Sequence, residues 1–188
     1  ITQGVLDRLI RYRQICLDPG ILDLKSKSPK TQWILDFIDE NPNTPVIIFS
    51  NFTQYIHRLA DTFRAKNILF SAIVGEVAPK VREEYVRDFQ ESKYNVLIIN
   101  TMSGKEALTL DRAEAIIFTD LFPPIGAIEQ AEDRFVATTE DKKDKPHVIY
   151  NLVMADSFDE DIIKLLQERK TETEVINNFR SSLERSSE

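Results

Sequence analysis

Short apolar runs rich in β-branched residues alternate with segments of helical periodicity along most of this chain, and this alternation most restricts how it can fold. The runs are continuous, which is typical of strands that a parallel sheet buries on both faces. Five strands are predicted, at residues 46–49, 69–74, 96–99, 115–119 and 147–153. Strands that alternate with helices at this spacing predict an α/β fold with an open parallel sheet flanked by helices.

Helices are predicted between the strands and at both ends of the chain, at residues 1–17, from Ser28 to the break at Asn41, at 53–66, 79–89 and 124–136, and from 156 to about 179. Helical periodicity gives each of the first two a buried face. On the first helix this face consists of Val5, Leu6, Leu9, Ile10, Ile15 and Cys16. On the second helix it consists of Trp33, Ile34, Phe37 and Ile38.

Charge and cysteine content exclude several classes of protein. The chain has 188 residues and a net charge of −7, which argues against the global basic field of a small autonomous DNA-binding domain. A local basic groove remains compatible with this charge. The single cysteine, Cys16, cannot form an intrachain disulfide and is interpreted as a small buried residue. The single cysteine fits a reducing compartment, and an intracellular location, cytoplasmic or nuclear, is expected. No apolar run approaches the ~20 residues of a membrane span.

Two polar segments follow the third and fourth predicted strands and mark the candidate functional edge. The first is the loop at residues 101–106, which reads Thr-Met-Ser-Gly-Lys-Glu. The second leads into a helical segment that carries Gln130, Asp133 and Arg134. Because ligands of open α/β sheets bind at the carboxyl ends of the strands, both segments are expected at one edge of the fold.

The sequence carries no recognisable self-sufficient active site. It contains no glycine-rich phosphate loop of the G-x-x-x-x-G-K-S/T form, and Ser103-Gly104-Lys105 has the wrong spacing for one. No Asp-Glu pair follows a strand as a magnesium site requires, and no G-x-S-x-G elbow occurs. His57 and His147 stand apart from any cysteine or paired histidine. The chain alone is therefore not expected to be a complete enzyme.

The segment from Gln130 to Arg134 allows two interpretations. Gln130 and Arg134 are four positions apart, so their side chains share one face of a helix. Asp133 can orient the guanidinium of a nearby arginine. An arginine held at the carboxyl edge of a sheet suits a planar clamp on phosphate. The alternative is a solvated helix with a local ion pair, which periodicity alone favours.

Several short motifs occur in a fixed order along nearly the whole chain. They are Arg13-Gln14-Ile15-Cys16 with Asp18-Pro19, Ser28-Pro29-Lys30 with Leu35, residues 46–52, Gly75 with Arg82 and Phe89, residues 101–110, Asp120 with residues 130–134, and residues 148–153 with 157–160. In order and spacing this set resembles the second RecA-like lobe of a superfamily-two helicase, specifically of the Snf-type DNA translocase family. Residues 101–110 resemble its motif V, and residues 130–134 resemble its motif VI.

The resemblance implies a fold and a division of the chain. The fold is a three-layer RecA-like (P-loop NTPase-like) open parallel sheet flanked by helices, with helical extensions at both ends. An N-terminal helix and linker occupy residues 1–27, the helicase C-terminal lobe occupies residues 28–155, and a C-terminal helix with a frayed tail occupies residues 156–188.

The resemblance also implies a function and partners. The chain would be the second motor lobe of an ATP-dependent DNA helicase or translocase, which contacts the nucleic-acid backbone. It would complete the ATP site together with a first RecA-like lobe of the same polypeptide, and ATP and Mg²⁺ would bind mainly to that first lobe. DNA is the expected partner, RNA is an alternative, and no membrane partner is expected.

Single residues receive roles from the same resemblance. Gln130 and Arg134 are the expected catalytic residues, which face the ATP phosphates. The nucleotide site further includes Gly104, Lys105, Glu106 and Asp133, and the nucleic-acid contacts are Ser50, Asn51, Thr101 and Ser103. From the residues alone, capping of helices or loops is an alternative role for Ser50 and Thr101.

Departures from the family pattern separate the functional hypotheses. Ala137 stands where motif VI has a second arginine, usually the arginine finger, which contributes about 10³–10⁵ in rate. In motif V, Lys105 and Ala107 replace glycines. The first hypothesis keeps hydrolysis, with Arg134, Lys105 or a partner as substitute. The second is a catalytically degenerate lobe that acts as a nucleic-acid or protein binding scaffold. A third is an unrelated α/β small-molecule enzyme, and the divergence alone suggests a viral or phage origin.

Overall fold

Five parallel strands form one sheet within the part of the chain that the computed structural model describes, residues 3–102, 110–120 and 148–168. The strands are β1 (Val46–Ser50), β2 (Phe70–Ile73), β3 (Val96–Asn100), β4 (Ala115–Phe118) and β5 (Val148–Asn151). Their order across the sheet is β2-β3-β1-β4-β5. The helices are α1 (Gln3–Leu17), α2 (Pro29–Glu40), α3 (Thr53–Ala65), α4 (Pro79–Gln90) and α5 (Phe158–Gln167), and a short 3₁₀ helix, Pro19–Leu22, follows α1. The predicted parallel sheet is confirmed.

The middle strand, β1, is apolar along almost its whole length because both of its faces are covered. All five of its residues are buried, as are all five of β3 and all four of β4. Val46 stands opposite Val96 on one side and opposite Ala115 on the other. β-Branched side chains pack well on such a two-sided strand, which explains why these continuous runs occupy the centre of the sheet.

Two apolar clusters lie on opposite faces of the sheet. Successive residues of a strand point to opposite faces, so Ile48 belongs to one cluster and Ile47 to the other. The first cluster contains Ile34 of α2 and four residues of α3, which are Tyr55, Ile56, Leu59 and Phe63. The second contains Phe89 of α4. Helices on both faces of the sheet produce the three layers that the sequence predicted.

The start of α2 follows its sequence signal. Ser28 Oγ accepts a hydrogen bond from Thr31 N at 3.0 Å and donates one to Leu17 O at 2.7 Å. One buried hydroxyl thus caps α2 and ties it to the end of α1. Pro29 occupies the first turn, where its missing N–H costs no intrahelical hydrogen bond.

The triplet of Gly75, Arg82 and Phe89 supports the turn between β2 and α4. Arg82 Nη2 donates to Gly75 O at 3.1 Å, and Arg82 Nε donates to Val77 O at 2.8 Å. Phe89, on the same helix as Arg82, is fully buried. This spacing in the sequence therefore reflects one helix that both closes the turn and fills the core.

The buried face predicted for α1 is partly wrong. Leu9 and Cys16 are buried as expected, but Ile10 is 42% exposed and Ile15 is 39% exposed. The inner face of α1 instead includes the polar residue Gln14, which is 9% exposed. The physical reason is that this part of α1 packs over the polar carboxyl edge of the sheet rather than over the apolar core.

Trp33 also departs from the prediction, since it is 36% exposed on α2. Its neighbour in the helix, Ile34, is the residue that enters the core. The Trp33 ring packs against the rings of Phe37 and Tyr150, with centroids 5.5 and 5.3 Å away. Trp33 therefore lies beside the edge strand β5 and not beneath the centre of the sheet.

Some predicted elements lie outside the described residues. These are the helix at residues 124–136, the first residue of the predicted strand at 147–153, and the last predicted helix beyond residue 168. Among the helices that the structure describes, none has both the length and the apolar character needed to cross a membrane.

Candidate functional site

Three strands end side by side at the candidate functional edge. Because β1 lies between β3 and β4, the residues that follow these strands meet there. The amide of Thr101 donates to Ser50 O at 3.0 Å, and the amide of Thr119 donates to Phe49 O at 3.0 Å. The structure thereby brings together three of the residues that the sequence assigned to nucleic acid, namely Ser50, Asn51 and Thr101.

Asp120, the second residue after β4, organises this edge. Its Oδ1 accepts hydrogen bonds from Ser50 Oγ at 2.8 Å and from Asn51 N at 3.1 Å, and its Oδ2 accepts one from Asn51 Nδ2 at 2.7 Å. Thr119 Oγ1 lies 3.1 Å from the same Oδ1. Asp120 is 5% exposed, so its charge is stable only because protein donors replace water. Its carboxylate holds both the Ser50 hydroxyl and the Asn51 amide in place.

Arg13 of α1 supplies the countercharge for Asp120. Arg13 Nη2 lies 3.2 Å from Asp120 Oδ2, and both side chains are largely buried. The guanidinium carbon of Arg13 also lies 4.8 Å from the centre of the Phe52 ring. The next residue, Gln14, places Nε2 3.5 Å from Gln54 Oε1. The helix α1 therefore contacts the turn between β1 and α3 as well as the start of α3.

Asn100, the last residue of β3, connects two loops at the same edge. Its Nδ2 lies 3.3 Å from both Asn51 O and Thr53 Oγ1, and its Oδ1 accepts a hydrogen bond from Met102 N at 3.0 Å. The loop after β3 is thereby tied to the turn after β1. Met102 is 53% exposed, which places the start of that loop at the surface.

Exposure distinguishes the three residues that the structure brings together. Ser50 is 1% exposed and Thr101 is 8% exposed, whereas Asn51 is only half-buried. Next to Asn51, α3 begins with Phe52 as its N-cap, which provides no side-chain hydrogen bond to the helix. Among the residues that the structure describes, no N-cap side chain accepts from the first backbone amides of α3, and together with the helix dipole these amides favour an anion at this position.

Lys30 supports the same edge from within the fold. Its Nζ donates to Thr119 O at 2.8 Å and lies 2.5 Å from Asp159 Oδ2, which also accepts a hydrogen bond from Met154 N at 3.0 Å. Lys30 is 4% exposed. The contacts join α2 to α5 and to the residue that precedes Asp120, so the backbone at the end of β4 is held on a buried ion pair.

Tyr55 of α3 lies behind the edge as a neutral packing group. Burial, in the first place, raises the pKa of Tyr55 above its ordinary value of 10.0, while a hydrogen bond with Thr31 opposes the rise. The nearby Asp18 and Asp120 carboxylates raise the pKa further. The two hydroxyl oxygens of Tyr55 and Thr31 are 3.1 Å apart. A phenol with a raised pKa is not a general base at neutral pH.

The remaining predicted site residues lie outside the part of the chain that the structure describes, and they are Ser103, Gly104, Lys105, Glu106, Gln130, Asp133 and Arg134. Conversely, Arg13, Lys30 and Asp120 belong to the recognised motifs, but no role was predicted for them. Their partners at this edge are 107, 129 and 70 positions away along the chain, and no local pattern encodes such contacts. The usable signal was a charged residue directly after a continuous apolar strand, as in Asp120.

Comparison with known proteins places this edge in a wider context. Residues 29–137 match the family model described as the helicase conserved C-terminal domain. An uncharacterized ATP-dependent helicase of Mycoplasma pneumoniae is 25% identical in an alignment that covers 95% of this chain and 18% of that protein. The ATP-dependent helicase ULS1 of Saccharomyces cerevisiae is 30% identical over 75% of this chain and 9% of its own length. The chain therefore spans less than a fifth of either relative.

A solved structure shows the same fold. The Sulfolobus solfataricus SWI2/SNF2 ATPase core in complex with dsDNA superimposes with a TM-score of 0.69 and 20% identity, over 87% of this chain and 35% of that one. The likeness confirms the predicted fold class, and the relatives are ATP-dependent helicases as the motif order predicted. Neither relative, one from a bacterium and one from a yeast, supports the viral or phage origin suggested by the divergence.

Proposed function

The chain belongs to the helicase conserved C-terminal domain family, and from this membership we propose that it is the second motor lobe of a Snf-type ATP-dependent DNA helicase or translocase. The family membership makes an unrelated small-molecule enzyme a poor explanation of the fold. The lobe would work together with a first RecA-like lobe of the same polypeptide. Alone it would not hydrolyse ATP.

The family match carries this proposal, and the structural observation that supports contact with DNA is the composition of the carboxyl edge. Ser50, Asn51 and Thr101 come from two neighbouring strands and lie next to the uncapped N-terminus of α3. Asp120 consumes the hydroxyl of Ser50 and the amide of Asn51, so these groups shape the turn rather than reach freely into solvent. Within the described part of the chain, the backbone amides at the start of α3 are the groups suited to an anion.

Such an edge suits the phosphate backbone of DNA. Backbone amides at a helix N-terminus recognise phosphate without reading bases, so the binding should be largely independent of sequence and sensitive to salt. The net charge of −7 does not oppose this, because the attraction comes from one local dipole and not from the field of the whole lobe. DNA is proposed over RNA because the superimposed SWI2/SNF2 core is a complex with dsDNA.

Magnesium does not fit the described part of this chain. Within residues 3–102, 110–120 and 148–168, no group of three or more His, Cys, Asp and Glu side chains is placed to hold a metal ion. Asp120 is committed to protein donors and to Arg13. As the family resemblance implies, we assign ATP and Mg²⁺ mainly to the first lobe. Gln130 and Arg134 of this chain would face the nucleotide phosphates, with Gly104, Lys105, Glu106 and Asp133 nearby.

The deciding experiment measures DNA-stimulated ATP hydrolysis by the complete polypeptide and by its Arg134→Ala variant. An arginine that stabilises phosphoryl transfer contributes about 10³–10⁵ in rate, so Arg134→Ala should lower the stimulated rate by at least about 100-fold. Arg87→Ala, which removes an exposed arginine of α4, is the matched control and should have no such effect. Unchanged hydrolysis in Arg134→Ala would refute the role of Arg134, and robust hydrolysis by the 188-residue chain alone would refute the division of labour.

The specific feature that favours a second candidate function is Ala137, at the position of the usual second arginine. A lobe without an arginine finger can persist as a scaffold that binds DNA or protein without turnover. The same assay separates the two functions. A complete polypeptide that binds DNA but shows no stimulated hydrolysis would be a scaffold.

A further inference from the structure

The contact between Arg13 and Asp120 connects α1 to the carboxyl edge of the sheet. Arg13 lies on α1, four residues before the helix ends at Leu17. Its guanidinium pairs with Asp120 at 3.2 Å and lies over the Phe52 ring at 4.8 Å. On its other side, the Asp120 carboxylate holds the Ser50 hydroxyl and both nitrogens of Asn51.

We propose that Arg13 is a positioning residue, through which α1 sets the conformation of the turn at residues 50–53 by way of Asp120. The proposal rests on the proposed function only for what this turn binds, which is DNA phosphate. A rotation of α1 would shift Arg13, release one oxygen of Asp120 and loosen Asn51. The orientation of α1 would thereby control how tightly this edge holds DNA.

The packing of α1 supports a positioning role over a merely structural one. α1 is anchored by the buried side chains Leu9, Cys16 and Leu17, so its attachment does not depend on Arg13. Arg13 meets both an acidic group and an aromatic face, a combination that suits a planar guanidinium. The ammonium of a lysine is a compact point charge and cannot reproduce both contacts with the same geometry.

The first experiment measures amide hydrogen exchange of the 188-residue chain without DNA. The amides of Asn51 and Phe52 donate to Asp120 Oδ1 and Ser50 Oγ. In Arg13→Ala, exchange in the peptide at residues 50–53 should rise by about three- to tenfold, as expected for a weakened hydrogen bond. Exchange in β3 should stay unchanged. Arg11→Ala is the matched control, because it removes an exposed arginine from the same helix.

The second experiment measures dissociation constants of the complete polypeptide and its variants by fluorescence anisotropy. The probe is a labelled duplex DNA of random sequence. Arg13→Ala should weaken binding by about three- to tenfold relative to Arg11→Ala, which corrects for the lost charge. Asp120→Asn gives a test of sign. Removal of a negative charge strengthens DNA binding if only electrostatics matter, but should weaken it here, because an amide nitrogen cannot accept from Arg13 and Asn51.

The outcomes separate this proposal from the proposed function. Unchanged exchange at residues 50–53 in both Arg13→Ala and Arg13→Lys would overturn the positioning role. Arg13→Lys is included because it keeps the charge and so guards against simple loss of folding. Altered exchange, together with no DNA binding by the complete polypeptide, would sink the proposed function alone. Equal affinities for Arg13→Ala and Arg11→Ala, or tighter binding by Asp120→Asn, would overturn the control of DNA binding by α1.

Discussion

Replacing Lys30 with methionine tests how much the edge of the sheet depends on the ion pair beneath it. A cation in the first turn of a helix is disfavoured by the helix dipole, yet Lys30 is in the first turn of α2 and is 4% exposed. The position of Lys30 must therefore be explained by its tertiary contacts. Methionine keeps most of the apolar stem and removes the charge, so the variant isolates the contacts of Nζ with Thr119 O and Asp159.

The expected loss in free energy of unfolding is about 3 kcal/mol. Removing one partner of a buried ion pair typically costs about 3–5 kcal/mol, because the other charge is left uncompensated. The lower end applies because the Asp159 side chain is 12% exposed and its Oδ2 keeps the hydrogen bond from Met154 N. Domains of this size have about 5–15 kcal/mol in total, so Lys30→Met should remain folded at room temperature but melt earlier.

The assay is equilibrium urea denaturation of the parent chain, Lys30→Met, Asp159→Asn and the double variant. The loss in free energy of unfolding of the double variant should be about 1–2 kcal/mol smaller than the sum of the two single losses, since neither charge is then left unpaired. Lys27→Met, at an exposed lysine nearby, should change the free energy by less than about 0.5 kcal/mol. A Lys30→Met loss below about 1 kcal/mol, or strict additivity of the two single variants, would refute this account.

Three further predictions concern other parts of the fold. Arg112 donates to two backbone carbonyls at 2.8 Å each. Arg112→Lys should therefore lower the free energy of unfolding, measured in urea, by about 2 kcal/mol. An unchanged free energy of unfolding would contradict this prediction. Ile48→Ala, in the middle of the sheet and 0% exposed, should lose about 2–5 kcal/mol, whereas Leu69→Ala, 73% exposed, should lose less than about 0.5 kcal/mol. Burial raises the pKa of Tyr55, so its contribution to stability is complete below about pH 10 and falls above it by about 1.4 kcal/mol per pH unit. Tyr55→Phe should flatten that alkaline loss in urea titrations at several pH values, and an equally steep loss would show that Tyr55 is not its source.

The sequence was sufficient for the sheet because its signal is local. Continuous apolar runs such as residues 46–49 and 96–99 imply strands covered on both faces, and the structure has them at the centre. The positions of Ser50 and Thr101 at one edge follow from parallel strands alone.

The exposure of single side chains was harder to predict, as Ile10, Ile15 and Trp33 illustrate. Helical periodicity gives the direction of an apolar stripe but not the extent of the surface that covers it. The partners of Arg13, Lys30 and Asp120 were also out of reach. These contacts depend on strand order, which brings together residues that no local pattern relates.

The central place of β1 has a consequence for synthesis of the chain. The hydrogen bond between Ser50 and Asp120 joins residues 70 positions apart, and at about 5–20 residues per second a ribosome needs about 4–14 s to cover that distance. During this time an apolar strand that is fully buried in the final fold has yet to meet its β4 neighbour. A newly made chain therefore presents β1 as an aggregation-prone segment, and the edge that we propose to hold DNA cannot close until residue 120 has left the ribosome.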